Sequence, residues 1–418
     1  MNAPTAVLPH PAQRARPLAA LLASICLAVT GNGVITTVVS LRLGRFAAGP
    51  SSLSFVLTAF PVGFLTGCLA ASALVARFGH RATFCLAVAT AALAGFAYAC
   101  TDNLAVWSLL RLVNGVTIAT VFVVCESWMN LYASPQNRGF LFSLYMLMTS
   151  VAVFFGQLLV AAGPDSPYLF PVAAVVVVVG LLLCLFSGPW PALPARKAES
   201  GEVPVSAAEQ RRALFRLAVA TPVTLAAVFL AGMTNVNVYA LMPIYSMHVG
   251  LTASQSVALV TAFSIGGFVA QTPIGWLSDR VSRRAILLVQ GVLAAGVCAA
   301  VVVLGNHAMT LLWSIFFIYG AIALTIYPIG IAAANAQLDR RHMVSAAGAL
   351  LLLYSVGSVM TPSIAANLMA HVGPQALFVL LGSGAALLAL VAGLDLICRP
   401  RSAITMPSRD LLAGTLDR

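Results

Sequence analysis

The chain has 418 residues, of which 61% are hydrophobic and only 8% charged, with a formal net charge of +11. Soluble domains carry about 25% charged residues, so this composition excludes an ordinary water-soluble globular protein and points to a bilayer. The positive charge does not indicate a nucleic-acid partner, because the basic residues are scattered through short connections and not gathered on one face among aromatic platforms.

Twelve apolar stretches are each long enough to cross about 30 Å of hydrocarbon at about 1.5 Å per residue. Their approximate spans are 18–41, 53–76, 82–101, 104–130, 139–162, 168–187, 217–247, 253–277, 285–305, 308–335, 343–371 and 374–397. The expected fold is therefore an all-α membrane protein of twelve transmembrane helices. The first span follows basic residues as a signal peptide would, but it is too long for an h-region and is read as a retained helix carrying Asn32 and Thr36. In the second span, "GFLTG" from Gly63 to Gly67 reads as a site of close helix contact. The connection that follows, "SALVARFGHR" from Ser72 to Arg81, brings Arg77 and Arg81 to the helix ends.

The fourth span is the most informative. It places Arg111 in "RLVNG", then Asn114, Glu126, Trp128 and Asn130, with Arg138 beyond its end. A charge inside hydrocarbon is expensive, so a partnered or cavity-facing position is expected for both Arg111 and Glu126. Fifteen residues separate them, about 22 Å along a helix and within roughly 60° of one face, so they share a face without touching. Both are expected to project into one wet central chamber. Glu126 has two candidate roles. It is either a protonatable site whose neutralisation is tied to a conformational switch, or one half of an ion pair with Arg138 or the Arg77/Arg81 connection.

Span five adds Tyr145 and Gln157. After span six, "SGPWPALPARKAESGEVPVSAAEQRRALFR" has prolines and mixed charges and too little apolar surface to pack, so residues 188–216 read as a linker. Span seven holds Asn235, Asn237 and Tyr239, span ten Tyr327 and Asn335, and span eleven Tyr354. Each of these polar side chains could equally serve as an interhelical hydrogen bond, worth about 0.6 kcal/mol in membranes. The domain organisation expected is a tail at 1–17, a bundle at 18–187, the linker, a second bundle at 217–397 and a tail at 398–418.

A fixed offset of 203 residues relates the two bundles: Asn32 maps to Asn235, Phe60 to Phe263, Gly63 to Gly266, Arg77 to Arg280, Arg81 to Arg284 and Arg138 to Arg341, with no gap. Such symmetry is the mark of a duplicated carrier, in which two parallel bundles enclose a site at mid-membrane depth and rock to expose it to either side. With both termini in the cytoplasm, Arg42 and Arg45 are the only basic residues outside and Arg111 the only one within a span, so the distribution of positive charge selects that orientation.

The eight cysteines form no CxxC pair and read as small packing residues. His248, His307 and His371 stand singly near the outer face, and no metal or cofactor is expected. "GNGVIT" and "GSGAAL" follow no strand and are not dinucleotide loops, and no Walker loop, nucleophile elbow or HExxH argues for an enzyme.

"GWLSDRVSRR", Gly275 to Arg284, resembles the loop signature of the major facilitator superfamily, with Ser282 in place of the second glycine, and "RLVNG" resembles its buried arginine and small-residue turn. "ESWMN", "RGF.FSLY", "GQLL" and "YPIGIAAANAQ" are similar to the YcaD-type subfamily of bacterial inner-membrane proteins. The resemblance implies that spans one, four, seven and ten line the cavity. It also implies that Asp279, Arg280 and Arg284, with Arg77 and Arg81, close the cytoplasmic side through ion pairs. The function it implies is secondary active transport of a small organic solute in the inner membrane, coupled to a proton, by a monomer. A proton-independent facilitator and a non-transporting sensor or scaffold are the alternatives.

Overall fold

The structure, a computed structural model, describes residues 11–46, 50–132, 138–187, 222–304, 309–335 and 343–398. The linker at 188–216, most of both tails and the side chains of Asn130, Arg138 and Asn335 lie outside the described residues. Among the described residues eleven α-helices follow one another: α1 (Pro11–Arg45), α2 (Pro50–Ala99), α3 (Leu104–Tyr132), α4 (Arg138–Ala161), α5 (Leu169–Leu185), α6 (Pro222–His248), α7 (Ala253–Ser278), α8 (Arg283–Leu304), α9 (Met309–Asn335), α10 (Met343–Val372) and α11 (Ala376–Cys398). Nine contain a stretch long and apolar enough to cross a membrane, and α4 and α5 contribute shorter apolar stretches. With no water in the hydrocarbon, a helix satisfies each backbone group within its own segment, which is why an apolar chain adopts this element throughout.

The two spans predicted from sequence at 53–76 and 82–101 are the two helical parts of α2, joined through a kink. Gly79 breaks the helical geometry between them, at φ 77° and ψ 162°. This backbone region is essentially restricted to glycine. The end of the molecule at Gly79, where α1 also begins, is here the basal end; the opposite end is apical.

Helices α1–α5 pack on one another, as do α6–α11, with α1 against α4 and α5 and, in the second group, α9 against α7 and α8. One packing detail recurs. The backbone of α2 at Gly63 lies so close to Leu112 on α3 that no Cβ could fit, and Gly115 lies as close to Phe60. In the second group Gly266 meets Phe317 on α9, and Gly320 meets Phe263, in the same way. Phe60 and Phe263 are 203 positions apart, but Gly115 and Gly320 are 205 apart. The ungapped register expected from sequence therefore slips by two residues before α9, because the segment leading into it is two residues longer. Small residues at such crossings let backbones approach, which is how helices associate in lipid.

The two groups meet where α1 packs on α6, α2 on α10 and α4 on α7. Thr58 and Ser363 hydroxyls are 3.0 Å apart, Asn367 Nδ2 donates to Ser54 Oγ at 3.4 Å, and Ser150 Oγ donates to Gln271 Oε1 at 3.2 Å. Ser54 and Thr58, like Ser363 and Asn367, are four residues apart, so each pair lies on one helix face and forms a short ladder near the apical end. Large side chains such as Leu93, Val303 and Phe55 point outward, as lipid contact requires.

Candidate functional site

Helix α3 carries both charges singled out from sequence, and the fold treats them differently. Arg111, near the apical end, is 1% exposed. Its Nη1 donates to Thr36 Oγ1 on α1 at 3.0 Å, and the guanidinium carbon lies 4.6 Å from the centre of the Phe60 ring on α2. It is sealed, contrary to the expectation that both charges project into one chamber. The cause is the tight α2–α3 crossing, which closes Phe60 over it.

Glu126 is partly exposed, six residues from the basal end of α3. Tyr145 on α4 donates its hydroxyl to Glu126 Oε1 at 3.3 Å. Tyr327, on α9 in the other group of helices, and Cys68 on α2 are near enough to feel its charge. The Tyr327 ring meets Tyr354 of α10 edge to face at 5.2 Å, and Tyr354 Oη accepts from Asn235 Nδ2 of α6 at 3.4 Å. One carboxylate, three phenols and an amide from five helices thus form a polar cluster spanning both groups. Asn32 is partly exposed with its Oδ1 unpaired, as is the Oδ1 of Asn235.

Other residues expected at the cavity sit elsewhere. Trp128 is buried in an apolar core with Phe84, Val88 and Cys184. Asn237 is buried and donates to Met233 O on its own helix at 2.8 Å, and Gln157 accepts from Thr37 Oγ1 at 3.0 Å. Asn114 is 2% exposed. A polar residue in an apolar span signals cost, not the direction in which it faces.

At the basal end the arginines engage their own group of helices. Asp279 accepts from Arg283 at 3.4 Å, one turn along, while Arg280 lies 3.7 Å over the Trp276 ring. Arg77 stands 5.4 Å over Phe78. Arg81 donates to Leu185 O on α5 at 2.8 Å, and its counterpart Arg284 pairs with Asp395 on α11 at 3.1 Å. Arg81 and Arg284 thus each reach the last helix of their own group. Asp395, 6% exposed, was overlooked from sequence. Its signal was present, an acid alone in a span of Leu, Ala and Ile. His80, next to Gly79, places Nε2 3.0 Å from Ser127 Oγ, beside Glu126 in sequence, and burial lowers its pKa from the ordinary histidine value. Among the described residues no three His, Cys, Asp or Glu side chains converge as metal ligands.

The family profile described as Major Facilitator Superfamily matches residues 21–260 and 224–406. The uncharacterised MFS-type transporter YcaD of Escherichia fergusonii is 29% identical over 372 residues, covering 88% of this chain and 93% of that protein. YcaD of Escherichia coli strain SE11 is 29% identical over 376 residues with the same coverage. Among solved structures, the nucleoside transporter NupG superimposes with a TM-score of 0.73 at 12% identity, covering 91% of this chain and 98% of that one. A D-xylose-proton symporter superimposes with a TM-score of 0.68 at 17% identity, covering 90% and 96%. At these identities the two structures speak for the fold alone.

Proposed function

The chain belongs to the major facilitator superfamily, and from that premise we propose that it is a secondary active transporter moving a small organic solute by alternating access, with a proton as the coupling ion. In this reading Gly79 divides α2 into two spans, so that residues 18–187 and 217–397 form two six-helix bundles joined by a cytoplasmic linker at 188–216. The basal end, rich in arginine, faces the cytoplasm of a bacterial cell, and the protein works as a monomer in the inner membrane.

The observation that carries the proposal is the placement of Glu126. Its carboxylate accepts from Tyr145 and lies within electrostatic reach of Tyr327 from the opposite group of helices. A proton taken up there removes a charge that both bundles feel, so its energy differs between conformations that bring Tyr327 close or draw it away. A ligand shifts a conformational equilibrium only through such differential interaction. Asn32, Asn235, Tyr327 and Tyr354 supply the hydrogen-bonding surface for the solute. Asp279, Arg280, Arg284, Arg77, Arg81 and Arg138 belong to the cytoplasmic gate.

The conformation supports the same reading. The ladder of Ser54, Thr58, Ser363 and Asn367 ties the bundles near the apical end, and Arg81 and Arg284 at the basal end each bind a helix of their own bundle. In this reading the apical side of the carrier is closed.

The test is transport in proteoliposomes, with a solute first found by thermal-shift screening of the purified protein against metabolites and antibiotics. Glu126→Gln is expected to abolish accumulation driven by a pH gradient while retaining solute exchange. Intact accumulation with lowered stability would make Glu126 a structural ion-pair partner. Flux indifferent to the pH gradient in the unaltered protein would identify a facilitator, and no flux of any solute a sensor or scaffold.

A further inference from the structure

We propose that Arg111, Asn114 and Tyr98 enclose a binding site for one small monovalent anion of chloride size, inside the first group of helices and apart from the Glu126 cluster. The inference stands whether or not the protein is proton-coupled, because it starts from a charge that the transport reading leaves uncompensated.

Arg111 makes no ion pair among the described residues. The acid next to it on the apical side, Asp102, is exposed and engaged by Arg42 at 3.5 Å. An unpartnered cation at this depth is costly in hydrocarbon. Thr36 and the face of Phe60 satisfy part of the guanidinium, but Arg111 Nε is buried without an acceptor. Two further buried groups nearby are in the same condition. Asn114, one turn along α3 on the same face, has both amide atoms unpaired, and Tyr98 Oη at the apical end of α2 is unpaired. Tyr98 stands edge to face with Trp107, which is one turn from Arg111, and its phenol lies within reach of the Arg111 charge.

The unmet groups therefore include an N–H of a cation, an amide N–H together with its oxygen, and a phenolic O–H, with three donors and one acceptor beside a single positive charge. Buried donors in folded proteins are nearly always paired. Water would accept from them but leave the charge uncompensated; an anion does both. Size follows from the walls. Phe170 stacks on Tyr98 at 5.1 Å, Trp107 and Phe60 close two further sides, and none of the three donors is more than 2% exposed in its residue. With walls this close, the candidate is a compact anion of halide size and not a bulky organic one.

The experiment is thermal unfolding of the purified full-length protein in detergent, with sodium chloride or bromide titrated against sodium gluconate at constant ionic strength. A saturable rise in Tm with either halide and none with gluconate is expected, since a ligand of the native state stabilises by mass action. Tyr98→Phe keeps the ring and removes one donor, and is expected to raise the halide concentration at half-effect about tenfold. Arg111→Gln is expected to abolish the response. The proposal is overturned if gluconate and chloride give the same curve, if the Tyr98→Phe response matches that of the unaltered protein, or if the halide effect persists in Arg111→Gln. A rise with acetate but not with halide would also overturn it, and would make the site one for a carboxylate group of the solute.

Discussion

Asp395→Asn leaves the Arg284 guanidinium without its carboxylate at a position where that carboxylate is nearly enclosed. Because the arginine left behind is 29% exposed, removing the carboxylate costs about 1–3 kcal/mol, the range for an unmet hydrogen-bonding group, and replacing both partners by apolar residues restores much of it. A double-mutant cycle on Tm should therefore show Asp395→Asn strongly destabilised and Arg284→Met with Asp395→Leu close to the unaltered protein. His80 sets a pH dependence of known sign. Its folded-state pKa lies below the unfolded value of about 6.5, so the unfolded chain takes up a proton first as pH falls. The contribution of His80 is present above that pH and lost below it, and His80→Gln should flatten the fall in Tm on acidification. At this scale the sequence was only half legible. Arg111 and Glu126 could be picked out because any charge within a span is improbable, yet which of them would be sealed depended on Phe60, a residue carrying no signal of its own.

Helices were legible almost completely, since an apolar run of sufficient length has one stable form in lipid. What composition could not show was the kink at Gly79 that joins the two parts of α2, or the two-residue slip before α9. Both depend on backbone geometry and the exact length of a helix, and hydropathy is blind to these. Gly79→Ala adds a Cβ with nothing within 4 Å to meet it, so any loss must come from backbone strain. About 1–3 kcal/mol is expected, read as a lower Tm without a change in oligomeric state or solute affinity. Gly115→Ala and Gly320→Ala test the opposite cause. Their backbone angles are ordinary, but a methyl group would overlap the carbonyl oxygen of Phe60 or Phe263. Because backbone cannot yield as a side chain does, each should cost at least the 1–3 kcal/mol typical of overpacking, and by similar amounts in the two bundles.

For the molecule as a whole, the duplication was legible from shared Asn, Gly and Arg positions, and the structure repeats it in the Gly63–Leu112 and Gly266–Phe317 contacts. The side on which the bundles touch could not be read, because one sequence must serve every conformation. Cysteines at positions 58 and 363 should cross-link spontaneously under mild oxidation, as the native hydroxyls are 3.0 Å apart, and the linked protein should lose transport and recover it on reduction. Failure to cross-link in any condition would contradict the apical closure. The ladder there is made of hydroxyls and amides and carries no formal charge. Neutral bonds of this kind are worth about 0.6 kcal/mol each in a membrane, so thermal energy can unfasten them. Having no field to screen, this seam should part as readily in concentrated salt as in dilute buffer.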